Sequence, residues 1–189
     1  MRNLSFLARL GVAIAPVLIM TWSAGARAEV TSWFFAGGGP SWLSEQESAY
    51  ELDPTLQLDL GLGTPPSGAA VLGVLARTTT YFGSGTDLAL ALRASTGGFA
   101  RGDWGVALDA GAYKRWWGME SSGPLASVQL GAPYGLQLSL NAAMGSDDHR
   151  SFGVLFGIDF LRLTVYRLGG EQWWPNPRPA WRPRPGDDR

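Results

Sequence analysis

The chain has 189 residues, no cysteine, one histidine, 26 glycines and nine tryptophans, with 46% hydrophobic and 16% charged residues and a formal net charge of −1. The missing cysteine excludes a disulfide framework and a cysteine zinc site, the apolar content excludes disorder of the whole chain, and the charge excludes a general nucleic-acid binder. The length suits one domain with a sizeable core, yet the charged fraction lies well below the roughly 25% of an ordinary soluble domain.

Residues 1–28 read as a secretory signal. Arg2 and Arg9 flank the start, an apolar run spans 10–20, and Ala26-Arg27-Ala28 has the small-x-small pattern of a cleavage site. Cleavage there removes three arginines and no acid, so the mature chain is the more acidic. The apolar run is too short to span a bilayer as a helix, and no later segment has 18 continuous apolar residues.

From residue 30 the chain is expected to form eight antiparallel strands. The first, 30–38, has ambiguous faces. From residue 55 the dominant period is two, the signature of a strand. Leu56, Leu58, Leu60 and Leu62 alternate with Gln57, Asp59 and Gly61. Leu72, Val74 and Ala76 oppose Gly73, Leu75 and Arg77. Leu88, Leu90 and Leu92 oppose Asp87, Ala89, Ala91 and Arg93. Val106 and Leu108 oppose Ala107 and Asp109, and Val128 and Leu130 oppose Ser127 and Gln129. Leu136, Leu138 and Leu140 oppose Gln137, Ser139 and Asn141. Phe152, Val154, Phe156, Ile158 and Phe160 oppose Gly153, Leu155, Gly157 and Asp159. Clusters of Gly, Pro, Ser and Asp punctuate these runs, as turns require. The expected fold is all-β: an eight-stranded up-and-down barrel, whose even strand count permits closure.

The second face decides which side is outside. A solvated exterior is normally rich in Lys and Glu, and this face carries neither on the strands. It has small residues with isolated Asp59, Arg77, Asp87, Arg93, Asp109 and Asp159, which suits the crowded lumen of a small barrel. The aliphatic face then suits lipid. Pairing is expected between Asp59 and Arg77, Arg77 and Asp87, and Arg93 and Asp109 across neighbouring strands. Tyr81, Phe82, Tyr113, Trp116 and Trp117 are expected at one membrane interface, and Phe99, Trp104, Tyr134 and Tyr166 at the other. Arg162 is expected on the outward face, snorkelling to the interface, and the apolar run on through Leu163 and Val165 points to a bulge or to a strand extending beyond the bilayer.

On these features the mature chain, from 30 to 167, resembles the small eight-stranded outer-membrane barrels, the class of outer-membrane proteins A, X and W. The final strand, Ser151-Phe152-Gly153-Val154-Leu155-Phe156-Gly157-Ile158, partly matches the polar-x-Gly-x-x-aromatic-x-aromatic pattern read by the barrel-assembly machinery. It departs by ending in Ile158 and by lying inside the chain. The resemblance implies an outer-membrane location with lipid and lipopolysaccharide as surroundings. It implies a structural, adhesion or surface-interaction role without catalysis, cofactor or metal.

Segments 40–53 and 114–122 are expected as extracellular loops that present a ligand-binding surface. The first carries Glu45, Glu47, Glu51 and Asp53, and the second Lys114, Arg115, Trp116, Trp117 and Glu120. His149 is expected in a freely titrating loop. His149-Arg150-Ser151 matches the His-x-Ser element of the outer-membrane lipid A deacylases, which are also eight-stranded barrels. Phe152 replaces that family's Asn, and no Glu follows in the strand. A lipid A-modifying enzyme and a periplasmic lipocalin-like carrier of an apolar ligand are the two alternatives. The domains are therefore 1–28 signal, 29–167 barrel and 168–189 a proline-rich periplasmic tail, extended and locally basic.

Overall fold

A computed structural model describes residues 30–44, 49–66, 69–118, 120–146 and 148–164. The proposed signal, the tail and Tyr166 lie outside the described residues. The strands are β1 (Thr31–Ser44), β2 (Glu51–Gly63), β3 (Ala70–Tyr81), β4 (Gly85–Thr96), β5 (Gly105–Gly118), β6 (Ser122–Gly131), β7 (Leu136–Met144) and β8 (Arg150–Asp159). A short helix α1 (Gly97–Arg101) follows β4, a 3₁₀ turn (Pro133–Gly135) precedes β7, and α2 (Phe160–Thr164) follows β8. Each strand pairs antiparallel with its sequence neighbours, and β1 pairs with β8, closing an eight-stranded up-and-down barrel.

The register sets the barrel's shape. Starting at Thr31, cross-strand partners run through Gly63, Gly73, Arg93, Asp109, Ser127, Asn141 and Gly153 and return to β1 at Ser41. One circuit thus climbs ten residues along β1. At about 3.3 Å per residue and about 4.8 Å between strands, that stagger tilts the strands by roughly 40° at a backbone radius of roughly 8 Å. Side chains fill so narrow a cylinder. Every residue on this circuit lies on the row that faces the lumen, and the leucine row faces out.

The strands are longer than the periodicity indicates. β1 continues through Gly38, Gly39 and Pro40 to Ser44. Proline cannot donate to a ladder, and the β1–β8 register is interrupted at Gly39 and Pro40 before resuming at Ser41. On the other side Pro40 is opposite Pro54. β2 begins at Glu51 and β5 runs to Gly118, so the two proposed binding loops are mostly strand. The described residues outside the strands at that end, the upper one, are 49–50, 82–84, 120–121, 145–146 and 148–149. A bulge in β5 sets Thr86 opposite Trp117 and Asp87 opposite Arg115. The extra residue, Trp116, lets two consecutive tryptophans both point outward, 60% and 66% exposed.

The lower end is closed by packing. Trp33, Val71, Phe99, Ala100 and Ala107 form a buried cluster. Thr96 caps α1, accepting from the Phe99 backbone N–H at 3.3 Å, and Gly102 ends the helix at φ 79°. This turn swings Phe99 under the lumen. The Trp33 indole lies on a floor of glycine: a Cβ on Gly63 or Gly73 would sit 2.4 or 2.6 Å from its ring. Part of the glycine surplus is therefore room for one tryptophan. Gly63→Ala is expected to overpack this seat and to cost about 1–3 kcal/mol. A urea-melt midpoint unchanged from wild type would count against it.

β8 ends where Asp159 stops it. The Asp159 Oδ1 accepts from the backbone N–H of Leu161 at 3.0 Å and of Arg162 at 3.3 Å, which is how a helix N-cap works. The expected bulge or strand extension through Leu163 is thus corrected to a helical turn. Arg162 consequently points in rather than out, and only 1% of it is exposed.

Candidate functional site: the polar lumen

The lumen holds three tiers of charge. The middle tier comes from β2, β3, β4 and β5, which place Asp59, Arg77, Arg93 and Asp109 at one level. Arg77 forks onto Asp59, Nε to Oδ1 and Nη2 to Oδ2, both at 2.8 Å. Arg93 forks onto Asp109 at 2.7 and 2.8 Å. Cross-links then join the two pairs, with Arg77 Nη2 to Asp109 at 2.7 Å and Arg93 Nη2 to Asp59 at 3.4 Å. Two arginines and two aspartates make a neutral quartet, and none is more than 4% exposed. Planar guanidinium forks suit this paired geometry.

Small polar residues complete the tier. Ser127 donates to Asp109 at 2.8 Å, and the Gln129 amide donates to both aspartates at 3.2 and 3.1 Å. Arg77 also donates to Ser127 at 3.0 Å and to Asn141 at 3.3 Å, while Asn141 donates to Gln57 at 2.8 Å. The network thus joins six strands, β2 to β7. Buried charges without such partners would each cost several kcal/mol.

The lower tier is Asp159 with Arg162. Arg162 Nη1 donates to Asp159 Oδ2 at 2.9 Å and to the Ser32 carbonyl, and Nη2 donates to the Ala100 carbonyl at 2.9 Å. Asp159 Oδ1 also accepts from the Phe34 backbone N–H at 3.4 Å. The pair therefore ties β8, β1 and α1 together below the closing seam. Arg93 and Arg162 both lie over the Trp33 ring, at 5.2 and 5.7 Å.

The upper tier corrects one expected pair. Asp87 binds Arg115, at 2.6 and 3.1 Å, rather than Arg77. The cause is register: Asp87 is directly opposite Arg115 on β5, and Arg77 lies lower, opposite Asp59. The Arg115 guanidinium lies 5.0 Å over the Tyr81 ring. Tyr113 and Ser121 share a hydroxyl–hydroxyl hydrogen bond of 2.9 Å. A cavity of about 30 Å³, room for one or two waters, is lined here by Ser41, Thr79, Tyr81, Asp87, Tyr113 and Ser151 among others.

The expected interface aromatics separate into two groups. Phe82, Trp104, Trp116, Trp117 and Tyr134 are on the exterior. Tyr81, Tyr113 and Phe99 are buried, at 7%, 4% and 2% exposed, so their assignment to a membrane interface is corrected. Tyr81 and Tyr113 sit on the lumen row of their strands, and the α1 turn tucks Phe99 beneath the barrel. At the upper end Trp42 stacks on Phe152, ring centroids 5.9 Å apart, and at the lower end Phe34 meets Phe160 at 5.5 Å.

Two further expectations change. His149 is buried, not a freely exposed loop residue. Asp53 is also buried, and its carboxylate accepts from the Gly83 N–H at 3.0 and 3.1 Å and from the Ser84 hydroxyl at 2.8 Å. It therefore pins the β3–β4 turn instead of presenting a loop charge. Among the described residues no cluster of His, Asp and Glu has the form of a metal site.

Arg115 and Arg162 are the charged lumen residues that sequence reasoning misplaced. A signal for Arg115 existed, since it continues the alternate row of Asp109, Gly111 and Tyr113. Arg162 is three residues beyond Asp159, a spacing that pairs side chains only once the strand has become a helix.

No protein-family model matches the chain, and no curated protein or solved structure shows significant similarity to it.

Proposed function

We propose that this chain is a non-catalytic outer-membrane β-barrel that anchors a small surface at the rim of its upper loops. The observation that carries the reading is the chemistry of the outward rows. Leu52, Leu56, Leu58, Leu60, Leu62, Leu72, Leu88, Leu90, Leu92, Leu108, Val128, Leu130 and Phe156 are all exposed. So continuous an apolar exterior around charges turned inward is the reverse of a barrel built for water. A closed ladder leaves no unpaired edge in hydrocarbon. From the strand tilt, the level of Trp104, Tyr134 and Phe160 lies roughly 25 Å below that of Trp42, Phe82 and Trp116, the height of a transmembrane barrel's apolar band.

The filled lumen supports a passive role. The quartet and the Trp33 cluster occupy the space a channel or an apolar ligand would need, which disfavours the lipocalin-like alternative. Ser151 lines the upper lumen and His149 is buried, so neither faces the acyl chains of a lipid substrate. Partners consistent with this reading are lipid and lipopolysaccharide around the belt, the barrel-assembly machinery, and an extracellular ligand at the rim.

Cell fractionation with a heat-modifiability gel tests the proposal. The protein is expected in the detergent-extracted membrane fraction and should change mobility on boiling. Recovery as a soluble periplasmic protein overturns it.

A further inference from the structure

We infer that the upper rim of the barrel binds the phosphates of net-anionic lipid headgroups through Lys114 and Arg150. The inference rests on the membrane-spanning reading above and names the lipid that the rim prefers. Among the described residues, Lys114 and Arg150 are the only charged side chains on the outward rows of the eight strands. Both are cations and both are exposed. Each sits at an aromatic level: Lys114 is two residues below Trp116 on β5, and Arg150 is two residues above Phe152 on β8. Lys114 Nζ lies 5.6 Å over the Trp116 ring.

Neither cation has an acidic partner among the described residues. The ion pairs there are all within the lumen. Exposed Glu51, Glu120 and Asp148 stand at the same end, and none pairs with Lys114 or Arg150. The lower rim differs. Its outward strand positions carry no charge, and Arg101 on α1 donates to the Pro66 carbonyl at 3.2 Å.

A cation that faces outward at the edge of an apolar belt, with no protein counter-charge, has its complement in the headgroup layer. Phosphates lie at that depth, and the aromatic rings beside the cations favour it. Lys114 and Arg150 are three strands apart, roughly 14 Å along the sheet, so each takes its own phosphate. The rim therefore selects a leaflet rich in anionic phosphate, which also sets which end of the barrel faces it.

The full chain, folded into phosphatidylcholine vesicles, tests this with spin-labelled phosphatidic acid and spin-labelled phosphatidylcholine as competing probes. A preference of roughly five-fold for phosphatidic acid is expected, set by the attraction of a basic side chain near an anionic surface. Lys114→Gln combined with Arg150→Gln should bring the ratio to near unity, and Lys114→Arg with Arg150→Lys should keep it. No preference in the wild type, or a preference retained in the double glutamine variant, overturns the inference. Insertion is followed separately by the heat-dependent gel shift. Insertion without lipid preference overturns the phosphate inference alone, and failure of the wild type to insert overturns the membrane reading and this inference with it.

Discussion

Asp109→Ala is expected to cost about 3–5 kcal/mol of barrel stability. Asp109 accepts from Arg77, twice from Arg93, from Ser127 and from Gln129. Without it, two arginines share Asp59, and an uncompensated positive charge stays buried in the lumen. Asp109→Asn keeps the shape and removes the charge, so it should be nearly as damaging. The informative comparison is the pair Arg93→Ala and Asp109→Ala in one chain. That variant restores neutrality, and its loss should fall short of the summed single losses by about 0.5–3 kcal/mol. Urea unfolding of the refolded barrel in lipid measures all of these. Strict additivity, or a single-variant loss below about 1 kcal/mol, would show that the quartet does not act as a unit.

Leu90→Arg is expected to cost about 2–4 kcal/mol when the barrel folds in a bilayer. Leu90 points outward from the middle of β4, opposite Ala76 on one side and Ala112 on the other. Thr86→Arg, near the upper end of the same strand, should cost only about 0–1 kcal/mol. This depth dependence separates lipid from water. On a water-facing surface both changes would lie within about 0.5 kcal/mol. Equal and small effects at the two positions would sink the lipid-facing assignment of the belt.

Much of the architecture is legible in the amino-acid sequence. The alternation of Leu88, Leu90 and Leu92 with Asp87, Ala89 and Ala91 shows a strand and its two faces because side chains in a strand alternate strictly. Strand direction and turn positions then bring Asp59 near Arg77 and Arg93 near Asp109, and each pair is directly opposite across one ladder. The ends of the strands were harder. Pro40 and Pro124 lie inside strands, where local rules favour a break. Each falls where one ladder is broken or ends: the β1–β8 register skips Pro40, and the β6–β7 register begins only at Leu125. Asp87 was matched to the wrong arginine for a related reason: the bulge at Trp116 and the full length of β5 both had to be known before Arg115 came into reach.

Residues at the barrel's mouths depended still more on the assembled structure. Phe99 and Trp104 are five residues apart and look alike in sequence, yet one plugs the barrel and the other is among its most exposed rings. What separates them is the α1 turn, capped by Thr96 and ended by Gly102.

The amino-acid sequence by itself determined the strands, their number, and the division of each into an aliphatic row and a small polar row. These follow from local periodicity and turn chemistry, which need no knowledge of distant residues. The tertiary structure decided the ten-residue stagger, and with it which charges meet across the lumen, because register is a relation between strands. It also decided that most charges of the described strands are concentrated: a few arginines and aspartates, far apart in sequence, are drawn together inside because a narrow closed cylinder leaves them no other partners.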